Sequence, residues 1–198
     1  MMQRTSLTSL LACCVLAALP RVAVAAAPET DERLARSRAL AEQLAGQLKV
    51  ELQQAMQSGG PVAAIEVCQS RAPEIAAQLG QPSGARVGRT ALRVRNPANA
   101  PDDLERKVLQ QFADEFAAAK SPLPGPSEAV FELRTPQGIE HRYMRAIPMQ
   151  PLCVTCHGKT IAPEIAAAIA SRYPEDAATG FETGDLRGAI TVRWPAME

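Results

Sequence analysis

Residues 150–159 read "QPLCVTCHGK", in which Cys153 and Cys156 stand three positions apart and His157 follows the second thiol directly. C-x-x-C-H is the attachment pattern of a c-type haem, with two thiols spaced to meet two vinyl groups and a histidine placed by the chain to bind the iron. Two other chemistries use parts of the pattern. A structural zinc ion would need Cys68 to complete three cysteines and one histidine, but Cys156 and His157 are adjacent and make awkward co-ligands of one tetrahedral ion. A thioredoxin-like dithiol belongs at a strand-to-helix junction of a parallel βαβ unit, and no parallel sheet is evident in the pattern. The residues favour one covalent haem c, held by Cys153 and Cys156, with His157 as the proximal iron ligand.

The sixth ligand is open on residue type alone. His141 is the only other histidine, and Met144 and Met149 lie near the motif. Each has a plainer reading: His141 as an exposed residue of the polar run "EHRYMR", the two methionines as core packing. Cys68 has one too, as a small buried hydrophobe on a helix. Yet an unpaired thiol in an oxidising compartment invites intermolecular disulfides, and iron ligation would give it a role. Arg89, Arg93, Arg95, Arg142 and Arg145 are candidates to pair haem carboxylates, against the ordinary reading of solvated surface charges. Asn96 and Asn99 are expected to shape their loop rather than touch a haem.

The compartment is read from the first thirty residues. Arg4, an apolar run from Leu7 to Leu19 and small residues around Ala23, Ala25 and Ala27 make a secretory signal peptide over residues 1–25. Cys13 and Cys14 after "LLA" offer a lipoprotein reading, but the apolar segment runs on past both, as it would in an ordinary signal. No stretch of the remainder approaches the roughly 20 apolar residues of a transmembrane helix. The expected mature chain is a periplasmic or otherwise exported protein with no integral membrane segment. Residues 26–198 form one domain, long enough for its own core. With 21 basic and 21 acidic residues in the 198, neither nucleic acid nor an anionic membrane surface is indicated as a partner.

The elements that must position these residues follow from periodicity. Thr30 can cap a long helix carrying Leu34, Ala41, Leu44, Leu48 and Leu52, which Ser58-Gly59-Gly60 stops. Pro61 opens a second helix with Ile65, Cys68 and Ala72 on one inward face, kinked or restarted at Pro73. Ala85 to Val94 reads as a strand, and "RNPANAPDD" as a loop into a helix at Pro101 with Leu104, Val108, Phe112 and Phe116 on one face. After the connector "KSPLPGPS" come two strands, "AVFELRT" and "EHRYMRAIPM", turned by Pro136-Gln137-Gly138. A helix with Ile161, Ile165, Ile169 and Tyr173 follows the motif, and "LRGAITVRW" reads as a last strand. The sum is an α+β domain with an antiparallel sheet.

Four blocks, "AIEVCQSRAPEIAAQLG", "VGRTALRVRNPANAPDDLE", "YMRAIPMQPLCVTCHG" and "GFETGDLRGAITV", occur in this order. Together they resemble the single-haem c-type domains first grouped as a domain of unknown function, found as free exported proteins and as sensor modules of histidine kinases. The resemblance runs from about Leu34 to Val192. It implies a PAS-like fold, an antiparallel sheet flanked by helices, and an unusual axial pair in which Cys68 joins His157 on the iron. A thiolate donor stabilises ferric iron and lowers the potential, whereas a Met/His pair raises it. Cys68 ligation therefore points to a redox or small-ligand sensor that works through a redox partner or receptor protein, with an electron-transfer cytochrome as the alternative. The c-type haem maturation machinery is the implied assembly partner. A peroxidase would need an open distal position with an acid or base, which a lone Cys68 does not supply.

Overall fold

The computed structural model describes residues 28–119 and 125–196. The expected signal peptide at 1–25, with Cys13 and Cys14, and the first five residues of the connector at 120–127 lie outside the described residues. Helix α1 spans Pro28–Glu66 and is followed by a π-helical turn, Val67–Arg71, and by α2, Ala72–Gly80. Strand β1 is Arg86–Thr90, α3 is Asp103–Ala118, β2 is Glu128–Thr135 and β3 is Gly138–Pro148. A short helix α4, Val154–His157, then α5, Pro163–Arg172, and β4, Leu186–Trp194, complete the chain. All three strand pairings are antiparallel, in the order β1-β4-β3-β2.

The break expected at Ser58-Gly59-Gly60 is a kink inside α1. Gly60 has φ 72, a left-handed conformation costly for a residue with a Cβ, and Pro61 re-enters the helix directly after it. Thr30, expected as the cap, falls within the first turn because α1 begins at Pro28. Pro73 lacks an N–H, and the chain answers with the π turn that ends two residues earlier, so α2 restarts with the proline near its N-terminus.

Side chains alternate across the sheet and sort the helices into two layers. Tyr143, Ile190 and Val192 face α1 and α2, where they meet Leu40, Leu44 and Ile75. Met144, Ala146 and Ala189 point the other way, onto Leu109 and Phe112 of α3. Trp194 Nε1 donates to Ser37 Oγ at 2.8 Å, pinning α1 to the end of β4. This is the expected α+β architecture, an antiparallel sheet flanked by helices with a long N-terminal helix. Among the described residues, no helix is long and apolar enough to cross a membrane.

Helix α3 differs in detail from its periodicity. Its fully buried stripe is Glu105, Leu109 and Phe112, so Leu104 and Val108 sit only half-buried at its edge. Polar chemistry sets that rotation. Asp102 caps the helix in a reciprocal box with Glu105, and Glu105 also accepts from Thr191 Oγ1 at 2.8 Å and pairs with Arg193 at 2.6 Å. A carboxylate with this many donors can be buried without penalty exceeding its partners' gain. Strand β1 stops at Thr90, shorter than the expected Ala85 to Val94, and the chain leaves the sheet there to line a cavity.

Candidate functional site

Cys68, Cys153, Cys156 and His157 come from segments far apart in sequence and all line one cavity. Its empty volume is about 1090 Å³, a figure that includes open solvent at its mouth. Apolar side chains of α1 (Leu52, Met56, Ile65), of β3 (Ile147) and of the turn after it (Leu152) form much of the wall. Cys68 is supplied by the π turn, is half-buried and is not disulfide-bonded. Such turns recur at functional sites because they re-aim side chains that a regular helix would space differently.

The motif helix is fixed by a strap, residues 176–181, that the sequence did not single out. His157 Nδ1 lies 2.6 Å from the Ala178 carbonyl, which accepts from it and leaves Nε2 free for another partner. Phe181 N–H donates to the His157 carbonyl at 3.0 Å, and Gly180 N–H to the Gly158 carbonyl at 2.9 Å. Burial, reinforced by the charges of Arg187 and Arg95, pushes the His157 imidazole down to about 2, so it stays neutral and able to ligate. Burial likewise pushes the Cys156 thiol up, with Arg95 opposing it. Hydrophobic packing fixes the other side: Cys156 lies against Ile65 of α1 and Ile165, Ile169 and Tyr173 at α5.

Arg95 holds these parts together. It is 7% exposed and pairs with Asp176, 9% exposed, at 3.1 Å. It also donates to the carbonyls of Cys156 at 2.6 Å and Ala178 at 3.3 Å. Asp176 in turn accepts from Ala178 N–H at 2.8 Å. One buried ion pair thus joins the loop after β1, the motif helix and the strap that orients His157.

The remaining candidates divide. Arg89 lines the cavity beside Arg95. Arg93 leaves it, stacking 3.7 Å over the Phe181 ring and donating to the Thr179 carbonyl. Arg142 is committed to Asp102 and Glu140 on the sheet, and Arg145 pairs in register with Glu128 of β2. His141 meets Glu132 at 3.2 Å across β2 and β3, Met144 is buried under α3, and Met149 packs on Ala178 and Phe181. None of these three lines the cavity. Asn96 does cap its own turn, accepting from Ala98 N–H at 3.0 Å, but both Asn96 and Asn99 also line the cavity, a correction to their expected role as loop formers alone.

Sequence reasoning missed Arg187. The pairing of β3 with β4 shifts register there, with Ile147 opposite Gly188 and Pro148 opposite Leu186, so Arg187 is the extra residue of a bulge. A bulge re-aims a side chain that strict alternation would send elsewhere, and Arg187 lines the cavity. Gly188 beside it admits no side chain: a Cβ would stand 2.4 Å from the Thr90 carbonyl oxygen and 2.9 Å from the Ala91 Cβ. Only at this closeness do β4 and the end of β1 share the cavity wall.

The donor set fits a haem better than a bare ion. Among the described residues, no three His, Cys, Asp or Glu side chains cluster tightly enough to hold a metal ion, which counts against the four-ligand zinc site. Two thiols and a neutral imidazole on one largely apolar cavity would suit a macrocycle with a central iron, and the Cys68 thiol lines the same cavity.

The crystal structure of the cyanobacterial heme-protein Tll0287 matches at 26% identity and a TM-score of 0.58, covering 87% of this chain and 99% of that one. No curated protein matches. The family model described as Tll0287-like matches residues 25–195, spanning all four sequence blocks and every cavity residue named above. The chain therefore belongs to the Tll0287-like family, the single-haem c-type domain family with a PAS-like α+β fold that its sequence resembles.

Proposed function

We propose that this protein is an exported haem protein with one covalent haem c, and that it acts as a redox or small-ligand sensor. Export rests on the signal-like residues 1–25, and haem binding on the convergence of Cys68, Cys153, Cys156 and His157 on one cavity. The haem character of the Tll0287 structure supports the same reading. A haem there supplies one-electron chemistry and an iron coordination site.

The chain's own residues do the rest. Cys153 and Cys156 would hold the group as thioethers; the strap orients the His157 imidazole with Nε2 available, while burial and the charges of Arg187 and Arg95 keep it neutral. Cys68 would be the second iron donor. Arg95 and Asp176 lock the motif helix against the loop after β1, so the ligand geometry is held by buried groups. The observation that carries the sensor reading is Cys68 on the cavity wall, in a π turn between the Gly60 kink and Pro73. A thiolate donor in a short irregular segment suits a low-potential site whose sixth position responds to oxidation state. A signal read out there would pass to a redox partner or receptor protein.

Optical redox titration with and without carbon monoxide separates this from the electron-transfer alternative. The sensor reading predicts that the reduced protein takes up carbon monoxide and that its midpoint potential then shifts upward. Reversible cycling with no ligand uptake would make the protein an electron carrier.

A further inference from the structure

A second hollow lies beside the cavity, at the edge of the sheet. Strand β1 is an edge strand, and all five of its residues, Arg86 to Thr90, line this groove. Helix α2 walls it with Ala76 and Ala77, and the short turn Pro97–Asn99 and the residue after it wall it with Ala98 and Ala100. The helices on the two faces of the sheet diverge at its edge, and side chains this small leave the gap between them open.

The groove and the cavity share part of their lining. Cys68, Arg89, Asn96 and Asn99 belong to both, so Cys68 stands where the two hollows meet. The rim there is a built one, because the Asn96 side chain accepts from Ala98 N–H at 3.0 Å and holds the turn in place. The groove also carries an excess of positive charge. Arg86, Arg89 and Arg193 line it against a single carboxylate, Glu105, which Arg193 already holds at 2.6 Å. Among the described residues neither Arg86 nor Arg89 has an ion pair. A cleft lined by one sign of charge concentrates ions of the other sign and speeds their arrival.

We infer that this groove is the entry route by which a small anionic ligand reaches the Cys68 side of the haem cavity. This rests on the haem reading above and on Cys68 as the second iron donor. With a haem in the cavity, a ligand competing for the Cys68 position must come past Cys68, and the groove reaches that residue from outside. Arg86 draws the anion in, while α2 and the 97–100 turn limit its size.

The ferric holoprotein of Cys68→Ala presents the vacated position, and stopped-flow mixing follows its binding of azide, an anion, and of imidazole in its neutral form. Arg86 lines the groove and not the cavity. Adding Arg86→Gln should slow azide association about threefold or more at low ionic strength and weaken its salt dependence, with imidazole association unchanged. Adding Ala98→Trp, at an exposed residue of the groove wall, should slow association and dissociation of both ligands by one factor, about fivefold or more. Affinity then stays the same, because a plug hinders entry and exit alike. Ala77→Trp, exposed on the α2 wall, should do likewise and serves if the first plug folds poorly. Unchanged rates with both Ala98→Trp and Ala77→Trp would overturn the route, and an azide rate indifferent to Arg86→Gln would overturn the anionic class. Absence of haem, or a ferric Cys68→Ala protein that binds neither ligand, would instead sink the readings beneath the route. The route is then read from alkylation of Cys68 in the wild-type chain, located by peptide mass mapping. Relative to free cysteine, iodoacetate should gain on iodoacetamide and lose that advantage in Arg86→Gln; a ratio equal to that of free cysteine would overturn the route.

Discussion

If Cys68 binds the iron opposite His157, Cys68→Ala should leave the haem covalently attached and remove the thiolate signature from the ferric optical and EPR spectra. Exogenous imidazole or cyanide then binds the ferric protein at least tenfold more readily, and the reduction potential rises because the electron-rich donor is gone. The geometry argues for a clean effect. Cys68 lies on the cavity wall in a turn of its own, while Cys153, Cys156 and His157 are held by α4 and the 176–181 strap. His141→Ala should change none of these spectra, since His141 is engaged with Glu132 between β2 and β3 and does not line the cavity. The reverse pattern, with His141→Ala opening the iron and Cys68→Ala silent, would make the site bis-histidine and shift the function toward electron transfer.

Arg95→Met should destabilise the protein by about 3 kcal/mol or more, the range for breaking one side of a buried ion pair. It leaves Asp176 buried without its cation and the Cys156 carbonyl without its 2.6 Å donor. Urea denaturation reads the loss as a lower midpoint at unchanged slope. Adding Asp176→Leu to the same chain should recover part of the loss, because it removes the stranded charge. A loss under about 1 kcal/mol would place the pair in the class of surface ion pairs and contradict its role as the clamp of the motif helix.

The chemistry-bearing residues could be read from sequence because their meaning is local. Cys153, Cys156 and His157 are contiguous, and the spacing alone states what they can hold. Cys68 needed two further signals, its unpaired thiol and its place in a family block. The β-branched and apolar run "LRGAITVRW" matches β4 to the residue, buried without a break from Gly188 to Val192 because helices cover both faces of the strand. Alternation explains the failure at Arg187, because a register shift breaks the rule that would have placed it. Glu105 was hidden for a different reason: a charged residue is not expected in a buried stripe until its cap and its partners Thr191 and Arg193, far along the chain, are known. The strap that orients His157 left no trace in periodicity. Its work is done by backbone carbonyls and by Asp176, and only the tertiary structure brings these to the imidazole.

The intact mass of the mature protein, produced in the periplasm with c-type haem maturation machinery, tests covalent attachment most directly. The mass should equal the polypeptide plus a single haem and should survive acid extraction, and the Cys153→Ser/Cys156→Ser variant should lose the added mass. An unmodified polypeptide from the wild-type protein, with extractable haem or with zinc in its place, would contradict the assignment of Cys153, Cys156 and His157 as a haem c site.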